Sequence, residues 1–206
     1  MEVRGLNVQR CLDLAPLRRL LLLSGLFLLG IVLGRSMALR VSEAALAEVE
    51  SYLMEYFLLE EVSLSETVLS TLFLYFRYPL AAFFLGFVPI GAILLPLTGL
   101  LFAFFLSFSV CCYTAVFGAG GVLLALAMFG LRCILTIPCF FLLAVPALGE
   151  AEGLMVTGKR GKRVVDEKKA CWLRLTAAIG VLFMGALADL MISPRLLKLV
   201  LQYLLI

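Results

Sequence analysis

The sequence predicts an all-α polytopic membrane protein of about five transmembrane helices, N-terminus in and C-terminus out, with an external amphipathic helix. Three observations predict it. Hydrophobic residues fill 64% of the 206 positions and charged residues 15%, with a mean hydropathy of +1.13, whereas soluble domains are about half apolar and about a quarter charged. From Tyr78 to Leu131, 54 consecutive positions carry no charge, too many for one crossing. Lysine and arginine gather in two segments that five crossings place on one side, as the positive-inside rule requires.

A helix needs about 20 apolar residues to cross a hydrocarbon core of about 30 Å. The first span is expected over residues 20–37, between Arg18, Arg19 and Arg35. Ser36-Met37-Ala38 has the small residues of a signal-peptide cleavage site, but Arg35 beside it and the multi-span body favour a retained helix. The charge-free run is divided at Pro96, Thr98 and Gly99, and again at Gly118, Gly120 and Gly121. Spans are therefore expected at 78–95, 100–116 and 122–147, the last interrupted by Arg132 and Pro138, with a fifth at 172–193 ended by Pro194.

Segment 41–70 has seven glutamates and no basic residue, which places it outside, and Leu46, Val49, Leu53 and Phe57 recur in it at helical spacing. The loop 148–171 carries Lys159, Arg160, Lys162, Arg163, Lys168 and Lys169, with Arg174 just beyond it. The segment before the first span carries Arg4, Arg10, Arg18 and Arg19. Both are expected in the cytoplasm. Arg35, Arg40 and Arg77 are contrary charges on the outer side, outnumbered there. The tail 194–206, with Arg195, Lys198 and Gln202 in one stripe, is expected to lie in the outer interface.

Several chemistries find little footing. The chain has no histidine, so serine or zinc proteolysis lacks its usual base or ligands. Only Asp189 lies in a span, so an aspartyl pair is not available there. The six cysteines have no C-x-x-C spacing. Gly153 to Lys159 fits the glycine and lysine spacing of a phosphate loop, but Arg160 stands where its Ser or Thr belongs. A net charge of +3 argues against nucleic acid as a partner. No enzyme activity, cofactor or metal is expected; membrane lipids are the expected surroundings.

Two charges remain inside the expected spans. Arg132 and Asp189 each cost about 2.5–3.5 kcal/mol at bilayer depth on insertion scales, so each calls for a partner or for water. Asp189, one turn from the outer end of the fifth span, is expected either to reach interfacial water or to pair with Arg77 or Arg132. These three residues are the candidate polar or partner-presenting site. Gly30-x-x-x-Gly34 and Thr176-x-x-x-Gly180 are expected to serve packing within one bundle.

The order of features resembles the stage II sporulation protein M family of endospore-forming bacteria. The likeness rests on the basic N-terminal segment and span, the acidic external segment, and a Tyr78-Pro79 entry into a Gly86-x-x-x-x-Gly91 span. It continues in Leu135-Thr-Ile-Pro138-Cys-Phe140 and, best of all, in Ala188-Asp189-Leu-Met-Ile-Ser193-Pro194-Arg195. Asp189 stands where that pattern has glutamate, and Arg132 has no counterpart in it. The resemblance implies a non-enzymatic scaffold subunit of the cell membrane that anchors extracytoplasmic peptidoglycan hydrolases during engulfment, with 41–70 and the tail as partner surfaces. A permease or transporter subunit is the alternative, with Arg132 and Asp189 lining its path.

Overall fold

The computed structural model describes residues 14–58, 64–157 and 165–204, and among these every regular element is helical. In chain order they are α1 (Leu14–Ala38), α2 (Glu43–Leu58), α3 (Leu64–Leu85), α4 (Gly91–Phe117), α5 (Ala119–Ala125), α6 (Leu131–Thr157) and α7 (Val165–Leu204). A π-helical turn, Leu126–Gly130, joins α5 to α6 without a break in direction. Five stretches are long and apolar enough to cross a membrane: Ala15–Ala38, Val68–Leu85, Gly91–Phe117, Ala119–Val156 and Cys171–Ile192. The protein is an all-α polytopic membrane protein.

Helix α6 is the centre of the bundle. One of its faces carries Phe140, Ala144, Ala147 and Leu148 into a core with Leu23 and Phe27 of α1, Ala82 of α3, and Leu95, Phe102 and Ala103 of α4. Another carries Cys139 and Leu143 against Tyr75 and Phe83 of α3 and Leu175, Ala178, Leu182 and Ala186 of α7. Lipid offers apolar side chains as good a solvent as the core does, so close fit rather than water exclusion holds such faces together. The alternation of alanine with phenylalanine supplies that fit, and Phe102 meets both Phe27 and Phe140 edge-on at 5.9 Å.

The tightest pairing joins α1 to α4. A Cβ placed on Gly30 would overlap the carbonyl oxygen of Leu100, and one on Gly34 would lie 2.5 Å from that of Phe104. Between them Ser107 donates its hydroxyl to the Ile31 carbonyl at 2.9 Å. The Gly30-x-x-x-Gly34 spacing is thus used for packing within the bundle. Thr176-x-x-x-Gly180 is not: Gly180 has no neighbour within 4 Å, and Thr176 bonds the Trp172 carbonyl of its own helix. That motif lies on the outward face of α7, because Leu175, Ala178 and Leu182 point the opposite way into the core.

The second span sits about ten residues earlier than expected, at Val68–Leu85 instead of 78–95. The chain turns at Gly86–Ile90, not at Pro96. Two glycines and Pro89 fall within six residues there, and short-range bonds such as Phe87 N–H to the Phe84 carbonyl (3.0 Å) close the turn. Gly91 lies so close to the Leu85 carbonyl that no side chain fits. Pro96 sits inside continuous α4, where its missing N–H frees one carbonyl, a loss that packed membrane helices absorb. Residues 68–70, expected outside, belong to this span, and Gly86-x-x-x-x-Gly91 is the turn rather than a span interior.

The break at Gly118 is present. Gly118 holds the only positive φ among the described residues, 58°, between α4 and α5. Two other expected boundaries fail. Helix α6 continues to Thr157, and α7 starts at Val165, so much of 148–171 is helix rather than loop. Pro194 does not end the fifth helix: α7 runs unbroken for 40 residues to Leu204, about 60 Å at 1.5 Å per residue. The tail continues that rod instead of forming a separate interfacial helix. Helix α2 is present and touches α4, with Leu46 half-buried and Val49 exposed; the side chains of Leu53 and Phe57 lie outside the described residues.

Candidate intramembrane charge site

Three helices bring the site together. Arg132 is the second residue of α6, directly after the π-turn, and about 20 Å along the helix from Ala119 at 1.5 Å per residue. An extra residue in a helical turn changes which face the following residues present. Here Arg132 faces α7, and its Nη2 donates to Asp189 Oδ2 at 3.2 Å. The arginine side chain is 19% exposed and the aspartate 4%. Asp189 is therefore a buried, paired carboxylate, and of the two arginines expected as partners it meets Arg132.

Tyr75 of α3, fully buried, closes the third side. The Arg132 guanidinium carbon lies 5.4 Å from its ring centre, within cation–π range, and both charged partners act on its hydroxyl electrostatically. Gly185 of α7 gives the ring its room, since a Cβ there would lie 3.3 Å from the Tyr75 ring and would overlap Leu135. Sequence reasoning missed Tyr75. An aromatic residue in an apolar span reads as packing, and nothing in its spacing singles it out.

Arg77, the third candidate, does not join the pair. It sits inside the second span, because that span starts earlier than expected, and its side chain is exposed. Its Nη2 donates to the Tyr78 hydroxyl at 2.8 Å, and its guanidinium lies 4.4 Å from the Tyr78 ring centre. Between Arg77 and Arg132 lies a cavity of about 90 Å³, walled by Tyr78, Phe102, Phe105, Ser109 and Thr136. Thr136 is 1% exposed, and its hydroxyl, like Arg132 Nε, has no hydrogen-bond partner among the described residues.

A second ion pair sits at one end of the bundle. Arg19 Nε of α1 and Glu152 Oε2 of α6 are 2.9 Å apart, part-exposed, with the guanidinium against Gly149. The distribution of lysine and arginine puts both segments on one side, and the two residues do share one end of the bundle. Of the phosphate-loop spacing, Gly153 to Thr157 are the last turns of α6, and Gly158 to Arg160 lie outside the described residues. The five described cysteines are free thiols.

Fold and site together define a multi-pass membrane protein whose bundle is pinned by a buried Arg–Asp pair. The chain matches no protein-family model, and no curated protein or solved structure resembles it significantly.

Proposed function

We propose that the protein is a non-enzymatic integral membrane scaffold subunit, similar to the engulfment-complex protein that anchors peptidoglycan hydrolases during endospore formation. It would sit in a bacterial inner membrane with its N-terminus in the cytoplasm. The observation that carries the reading is the Arg132–Asp189 pair, which ties α7 to α6. That pair fixes the helix just before the turns that run past Ile192 to Leu204. A rod held at its base presents a fixed surface to a partner, and the acidic α2 offers a second surface. A permease subunit is the second reading, favoured by the cavity beside Arg132.

Purification in gentle detergent from growing and from starved cells tests the proposal. An extracytoplasmic wall hydrolase is expected to co-purify, with a larger share under starvation. Recovery of an ATPase subunit instead would favour the permease and overturn the scaffold.

A further inference from the structure

Arg77 lies nine residues from Val68 and eight from Leu85, at the middle of its span. Its side chain is exposed, on a bundle whose outside is lipid. Among the described residues the ion pairs are Arg19–Glu152 and Arg132–Asp189, so no carboxylate neutralises Arg77. The guanidinium is held in place by the hydroxyl and ring of Tyr78, which leaves donors to spare among its five N–H groups. The cavity beside it is lined in part by the buried Thr136, whose hydroxyl has no hydrogen-bond partner among the described residues. By the usual measure about 10–15 Å³ holds one water, so about 90 Å³ admits a carboxylate head.

We infer that the flank formed by Arg77, Tyr78, Phe105 and Ser109 docks a partner transmembrane helix carrying one Asp or Glu at mid-depth. The carboxylate pairs with Arg77 and enters the cavity toward Thr136. Depth decides against a lipid phosphate: Arg77 is about 12 Å from either end of its span, whereas headgroups lie about 15 Å from the midplane of a 30 Å core. A second copy does not fit either. The carboxylates of the described spans are Glu150, Glu152 and Asp189. Asp189 is committed to Arg132 and Glu152 to Arg19. Glu150 lies beyond Ala147, which meets Gly86 at the end of the Arg77 span, so it is not at mid-depth. Naming the occupant a partner protein rests on the scaffold reading. The test below reads the site itself, so a failed site and a failed scaffold give different results.

The full chain, donor-labelled in phosphatidylcholine vesicles, is titrated with acceptor-labelled single-span Leu/Ala peptides bearing a central Glu or Gln. The Glu peptide is expected to reach half-saturation at about ten-fold lower density. Arg77→Gln should remove that difference and Arg77→Lys should keep part of it. Ser109→Leu, which narrows the cavity and leaves the cation, should also weaken it. Arg77→Gln should unfold at the wild-type temperature because the side chain is exposed. Equal binding of the two peptides to the wild type, or an undiminished Glu preference in Arg77→Gln, would overturn the inference. So would vesicles of phosphatidylglycerol that abolish the preference through Arg77, which would make the site a lipid headgroup site.

Discussion

Arg132→Met should destabilise the folded bundle by about 3–5 kcal/mol, because it leaves a buried aspartate without its cation. The carboxylate is 4% exposed and its one described ion-pair partner is Arg132. In a medium without water it must either ionise unpaired or take up a proton, and both routes cost stability. Adding Asp189→Leu should recover most of the loss, since an apolar pair of similar volume replaces the buried charges at little cost. Denaturant unfolding in mild detergent measures all three proteins. Equal losses in the single and the double variant would mean the two side chains are not coupled. Asp189→Asn is the gentler change, and it keeps a hydrogen-bond acceptor for Arg132. It should nevertheless lower stability, which a solvated aspartate in the last turn of a span would not do.

The second large effect falls on the α1–α4 contact. Gly30→Ala should cost about 1–3 kcal/mol, as overpacking does, even though alanine is the better helix former by about 1 kcal/mol. The added methyl would overlap a backbone carbonyl, which cannot rotate away as a side chain can. Gly34→Ala should behave alike and should also strain the Ser107–Ile31 bond next to it. Gly25→Ala is the control: nothing lies within 4 Å of that glycine, so the same substitution should be neutral or slightly stabilising. Unfolding in mild detergent reads the contrast. Equal behaviour of Gly25 and Gly30 variants would remove the close pairing of these helices.

The existence of five apolar helices was legible because lipid leaves little latitude: long uncharged runs must cross. The Gly118 break was legible for a related reason, since only glycine takes a positive φ without strain. The turn before α4 was harder. Pro89 and Pro96 look alike in sequence, and what separates them is local: Pro89 has Gly86 and Gly91 beside it, whereas Pro96 has Leu95 buried in the core and Gly99 against Phe140. Placing the turn wrongly moved Arg77 from the middle of a span to its edge and hid its exposure to lipid. Likewise Ser193-Pro194 reads as a stop, yet α7 continues past it. That Asp189 needs a partner followed from the cost of a charge in hydrocarbon. Which arginine answers it depended on the register of α6 against α7, and sequence does not encode that register locally.

In a scaffold the Arg132–Asp189 pair pins a sealed bundle and does not line a route for solutes. Cys133 sits next to Arg132 and lines the same cavity, so it reports directly on whether water reaches the pair. A variant retaining Cys133 as its sole cysteine is placed in intact vesicles and exposed on each face to a charged, membrane-impermeant thiol reagent. Protection from both faces is predicted, with full reaction once the protein is denatured. Reaction from either face before denaturation would reveal an aqueous path to Arg132 and would contradict the scaffold.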